Sequence, residues 1–119
     1  MNYALLIYDD DSTWTGLPEE EQTALRASEM PKWVALFEEL GKADPNVSGK
    51  ELDGRTTAKV VRVRNGERIV TDGPFAETKE IVAGVFLTEL PDLDEAIRLA
   101  ALIPAAADTG AIEIRPVLQ

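Results

Sequence analysis

Apolar residues recur along this chain with two different periods, and the changes of period mark out its elements. Tyr3 to Tyr8 is a short, nearly unbroken apolar run ending at Asp9-Asp10-Asp11, which predicts a central strand buried on both faces and leaving into solvent at the aspartates. Pro18-Glu19-Glu20-Glu21 opens a helix, since proline is tolerated in the first turn and carboxylates meet the positive end of the helix dipole. Pro31 lacks an N–H and its ring collides with the preceding turn, so a kink or restart is expected near Ser28. Beyond it Met30, Trp33, Val34, Phe37 and Leu40 repeat at helical spacing and predict the face that packs on a sheet, with Gly41 or the residues just after it ending the helix. Residues 44–55 carry Pro45, Gly49 and Gly54 and few apolar positions, leaving room for one short edge strand between turns. Ser12 to Gly16, interrupted by Trp14, reads as a loop over the domain or against a partner subunit.

Thr57 to Arg64 is a strand, and Asn65-Gly66 after it is a strong hairpin signal. A two-residue turn sets Arg64 opposite Glu67, Val61 opposite Val70 and Lys59 opposite Asp72, chemically matched pairs that support the register. Arg62 then shares a face with Ala58, Val60 and Arg64; pointed inward it would clamp an anion through its planar fork, and pointed outward it would be a solvated hairpin residue. Val82 to Leu90 is another strand, with Gly84 permitting close backbone approach. Asp92-Leu93-Asp94-Glu95 forms a capping-box pattern ahead of a helix whose apolar face is Ala96, Ile97, Leu99, Ala100 and Ile103, and Pro104 stops it. Ala111 to Val117 alternates cleanly and closes the sheet. This order fits one domain over residues 1–119, an α+β ferredoxin-like sandwich with an added β-hairpin. Two helices cover one sheet face only, so the other face calls for cover, which a second copy of the same sheet would supply.

Thr71 to Glu80 concentrates the candidate chemistry. Asp72 can accept from nearby backbone N–H groups, Gly73 tolerates dihedrals closed to other residues, Pro74 fixes its own φ, and Phe75 is expected to turn inward and pin the loop. In one reading Asp72, Gly73, Pro74, Phe75 and Lys79 line a small-molecule site with Asp72 as an acid or base. In the other the segment is a rigid turn carrying a solvated charge run. Tyr8 at the exit of the first strand, and Trp33 with Phe37 on the helix, are further pocket candidates, each also readable as packing. Glu29 and Glu39 could serve as an acid or base if buried.

Composition narrows the function. Twelve Lys and Arg against twenty-two Asp and Glu give a net charge of -10, which disfavours nucleic acid and anionic membrane surfaces as partners. The absence of cysteine and histidine removes disulfides, thiolate nucleophiles and the common transition-metal ligands, and Asp9-Asp10-Asp11 lacks the spacing of a calcium loop. No metal or cofactor is expected. With no basic leader and no apolar run near ~20 residues, a cytoplasmic protein is expected.

Asp72-Gly73-Pro74-Phe75 followed by Ala76-Glu77-Thr78-Lys79-Glu80 resembles the signature of the DGPF family within the YCII-related group. Tyr3 to Tyr8, Thr56 to Arg64 and Ile112 to Val117 resemble its opening, basic and closing strands. The resemblance implies a ferredoxin-like fold assembled as a dimeric α+β barrel. It also implies bacterial relatives, some associated with extracytoplasmic-function sigma factors and some proposed as enzymes through a histidine and aspartate pair. Counting back from Gly41, that histidine falls here on Met30 and its acidic partner near Glu39, and a thioether cannot act as a general base. Two functions follow as expectations: a homodimer binding a small anionic or aromatic molecule, with carboxylate acid/base chemistry of lyase, isomerase or hydrolase type if it is an enzyme, or a non-catalytic interaction module for a sigma-factor system.

Overall fold

The computed structural model describes residues 1–11, 15–75 and 79–118, so the loop reading of Ser12, Thr13 and Trp14 and the Ala76-Glu77-Thr78 part of the signature lie outside the described residues. β1 (Asn2–Asp9) is one of the two inner strands of a four-stranded antiparallel sheet in which β5 (Ile81–Glu89) and β6 (Ala111–Pro116) flank it and β2 (Ser48–Glu51) forms the far edge beside β5. Between β1 and β2 runs α1 (Glu19–Ala43), and between β5 and β6 run α2 (Leu93–Ala100) and the short α3 (Pro104–Ala107). The order β2-β5-β1-β6 with these connections is the ferredoxin-like α+β sandwich. The insertion between β2 and β5 is a 3₁₀ turn (Arg55–Thr57) and a hairpin of β3 (Lys59–Arg64) and β4 (Glu67–Asp72), which forms its own two-stranded sheet. Its register pairs Arg64 with Glu67, Val61 with Val70 and Lys59 with Asp72, as the sequence predicts. Asn65 and Gly66 both take positive φ, 53° and 77°, the condition for a tight two-residue turn.

The core lies between the helices and one face of the sheet. Tyr3, Leu5 and Ile7 of β1 and Phe86 of β5 are buried against Leu36 and Leu40 of α1 and against Ala96, Leu99 and Ile103. Each leucine buried this way contributes roughly 1.5–3 kcal/mol relative to an exposed one. The opposite face carries Ala4, Leu6 and Tyr8 beside Val82, Val85 and Leu87, placed there by the pairings Ala4–Leu87, Leu6–Val85 and Tyr8–Val82. Ala4, Leu6 and Tyr8 are only partly buried there, so the expectation that β1 is buried on both faces is corrected for the single chain: the unbroken apolar run reflects two different surroundings.

Three local expectations are also corrected. α1 continues through Pro31 without a restart, because the proline sits on the exposed side, where the carbonyl it leaves without an N–H donor can turn to water. Its buried face centres on Leu36 and Leu40, whereas Met30, Val34 and Phe37 are substantially exposed. At α2, Asp92 accepts from the Glu95 N–H at 2.9 Å as a cap should, but the Glu95 carboxylate does not reach back. It pairs with Arg98 at 2.6 Å, which lowers the Glu95 pKa and raises that of Arg98.

Candidate functional site

Where the first half of α1 stands off the sheet, a cavity of about 710 Å³ opens on the helix side of β1, β2 and β5. This is a volume suited to a small organic ligand. Leu36 and Leu40 hold the second half of the helix on the sheet, and from Gln22 to Phe37 one stripe of side chains faces the space: Gln22, Arg26, Glu29, Met30, Trp33 and Phe37. Phe86 closes the floor edge-on to Phe37, their centroids 6.3 Å apart, and Trp33 lies 5.9 Å from Phe37. Gly49 is required beneath, since a Cβ there would run into the Phe86 ring. Arg26 reaches from α1 to Glu51 on β2 at 3.0 Å and ties the two walls together across the opening.

A β-bulge shapes the polar end. Ile7 pairs with Gly84 but Tyr8 pairs with Val82, so Ala83 is the extra residue and the helix-facing position on β5 passes to Ile81, opposite Asp9. Asp9 accepts from the Thr109 hydroxyl at 2.8 Å. Asp11 lines the cavity with a side chain only 5% exposed, taking the Arg55 backbone N–H at 2.6 Å and Arg55 Nε at 2.5 Å. Arg55 Nη2 also donates to the Lys79 carbonyl at 2.5 Å and approaches Asp10 at 3.4 Å. The expectation that the three aspartates form a solvated strand exit is thereby corrected: Asp10 and Asp11 anchor the 3₁₀ turn to the end of β1, and Asp9 holds Thr109. Glu29 differs from its neighbours. It is half-buried in the cavity wall and has no hydrogen-bond or ion-pair partner among the described residues. Counting the described lining, six carboxylates (Asp9, Asp11, Glu29, Glu51, Asp53 and Asp108) face two cations, Arg26 and Lys50.

A second hollow, about 770 Å³, lies on the other side of the sheet at the root of the hairpin, with Tyr8, Lys59, Pro74, Phe75 and Val82 among its walls. The signature loop borders this one. Asp72 lines neither cavity; its side chain is 85% exposed and pairs across the hairpin with Lys59, which lowers its pKa through that hydrogen bond and charge. Phe75 is 78% exposed rather than turned inward, and Arg62 lies over its ring at 5.4 Å. Arg62 is therefore neither buried nor aimed into a cavity. Gly73 donates its N–H to the Ala58 carbonyl at 2.9 Å and packs so closely that a Cβ would come within 2.9 Å of the Ala58 Cβ; the Gly73–Pro74 bond is cis. Lys79 contributes its carbonyl to Arg55, while its side chain is exposed and lines neither hollow.

The structure thus divides the sequence candidates. Trp33 and Glu29 meet at the inner cavity, with Met30 beside them; Tyr8, Pro74 and Phe75 meet at the outer one; Asp72, Gly73, Arg62 and Lys79 line neither. Glu39 lies outside both and pairs with Lys42 and Arg98. Asp11, Arg55, Arg26 and Glu51 were not legible as partners because 25 to 44 positions separate the members of each pair. Gln22 and Arg26 could have been found by carrying the helical stripe back through Pro31.

Comparison with known proteins places these features in context. The YCII-related domain matches residues 1–119. An uncharacterized protein of Rhizobium meliloti (strain 1021) is 38% identical over 117 residues, covering 98% of this chain and 91% of its own length.

Proposed function

Given that the chain belongs to the YCII-related domain family, we propose that it is a homodimer that binds a small molecule in the cavity between α1 and the sheet. The ligand has an aromatic or aliphatic body and a positively charged or hydrogen-bond-donating head. The observation that carries this reading is Glu29, a half-buried carboxylate without a partner among the described residues, one helical turn from Trp33 in the wall of a cavity whose described lining is predominantly acidic. An apolar floor takes the body, and an unneutralised carboxylate takes the head. The aromatic part of the sequence expectation is retained. The anionic part rested on the basic hairpin, which does not reach this cavity.

Where the domain also performs chemistry, Glu29 is the group able to move a proton at the bound head, since Met30 beside it has no basic atom. Glu29 also stands closer to the relatives' histidine position than Glu39 does. Tryptophan fluorescence tests the proposal. With Trp14→Phe leaving Trp33 as the sole tryptophan, aryl-alkyl amines without an indole, such as phenethylamine, should change its emission saturably, and carboxylates with the same phenyl ring should not. Glu29→Gln should weaken amine binding by about tenfold or more, the equivalent of roughly 1.4 kcal/mol. Equal binding of amine and acid, or an unchanged affinity in Glu29→Gln, overturns it.

The homodimer is supported by the uncovered sheet face, where Leu6, Val82, Val85 and Leu87 form a continuous apolar strip between the two inner strands. A second copy presents the same strip, and a twofold axis lying between the two sheets, parallel to their surfaces, would lay one on the other.

A further inference from the structure

The β3–β4 hairpin is poorly accounted for by its own chain. Among the described residues its strands pack on each other and on little else. The register puts Val61, Val63 and Val70 on one face, where they are 59%, 62% and 53% exposed. A two-stranded hairpin is marginally stable in water without a surface to pack on. The chain is correspondingly spread out: its radius of gyration is 16.2 Å, against about 13–14 Å for a compact chain of this length.

Charge divides along the same line. Four of the twelve basic residues (Lys59, Arg62, Arg64 and Arg68) and two of the twenty-two acidic ones (Glu67 and Asp72) lie on the hairpin, so the remaining chain carries eight against twenty. A basic, valine-faced arm is therefore attached to a strongly acidic body. The arm's root and the open sheet face border one hollow, lined by Lys59 and Pro74 from one side and by Tyr8 and Val82 from the other.

We infer that the hairpin is an intersubunit arm, its valine face packed on the acidic body of a second copy, so that the hollow at its root is closed by the partner. This rests on the homodimer reading and extends it, because pairing through the sheet faces alone would leave three valines and a net positive arm in water. The second copy is the occupant that fits. One chain carries both halves of the match, the basic apolar arm and the acidic body, and a twofold arrangement satisfies both arms at once.

Three measurements decide it. In sedimentation at low ionic strength, Val61→Asp with Val70→Asp should raise the dimer dissociation constant by about tenfold or more while far-UV circular dichroism stays that of the wild type. Should that variant unfold, Arg64→Glu with Arg68→Glu, both at exposed positions, should weaken the dimer and reduce its dependence on salt. A benzoylphenylalanine placed at Val63 in a mixture of ¹⁴N and ¹⁵N chains should give crosslinked peptides containing both isotopes. A wild-type dimer indifferent to all these substitutions, with no mixed crosslinks, overturns the arm and leaves the sheet-face dimer standing. A wild-type monomer at every concentration overturns both. Crosslinks to a foreign protein in place of the second copy assign the arm to a different partner and likewise refute it.

Discussion

Asp44 shows how one side chain can join two elements through three hydrogen bonds. Its carboxylate accepts from the Glu89 N–H at 2.9 Å, the Asn46 N–H at 3.0 Å and the Thr88 hydroxyl at 3.1 Å, tying the end of α1 to β5. These donors, Glu89 foremost, hold its pKa below the usual 3.8 although burial opposes them. A depressed folded pKa contributes stability that is fully present above the unfolded value and lost as pH falls through the folded one. Urea midpoints measured from pH 7 down to 3 should therefore fall below about pH 4, the unfolded carboxylate range. Asp44→Asn should cost about 1–3 kcal/mol at pH 7, because a donor amide replaces one acceptor oxygen, and should flatten that acid limb. A variant as stable as the wild type at pH 7 would remove the three-way tie. At this scale the sequence was informative only where the signal is local. Asn65-Gly66 and the Asp92 cap follow from residues next to one another. Asp11 with Arg55 does not, because a carboxylate 44 positions from its guanidinium looks like any other acid at a strand end.

At the scale of the element, α1 was legible in its extent but not in its rotation. The start at Glu19 follows from Pro18 and the acidic first turn, and the end at Ala43 lies just past Gly41. The apolar periodicity pointed to Met30, Val34 and Phe37 as packing residues, yet the helix serves two surfaces: Leu36 and Leu40 meet the sheet, while Met30, Trp33 and Phe37 line the cavity. A single averaged stripe cannot separate those roles. Chemical denaturation can. Leu36→Ala, at a position with no exposure, should cost about 2–5 kcal/mol. Phe37→Ala should cost less than half as much, since its ring is half exposed, but should weaken the binding of aromatic amines. A reversed order would mean that the helix is seated on its Phe37 face in solution.

For the whole molecule, the decisive feature is that the described helices cover only one face of the sheet. Leu87→Asp introduces a charge at one end of the uncovered strip without touching the core, so it should weaken dimerisation by about tenfold or more, read by sedimentation at micromolar concentration, with little change in the unfolding midpoint of the resulting monomer. An unaltered dimer would move the interface elsewhere. The sequence by itself determined the order of elements, the hairpin and its register, and the ferredoxin-like class, because each depends on periodicity, turn chemistry and caps acting within a few residues. Only the tertiary structure decided where the chemistry can sit. Asp72 and Phe75, the most distinctive residues of the signature, stand at the surface, whereas Glu29, an ordinary helical glutamate in the sequence, faces a cavity. The reason is physical: a side chain's character is set by what surrounds it, and those surroundings are brought together by a helix rotation and a β-bulge that no local pattern encodes.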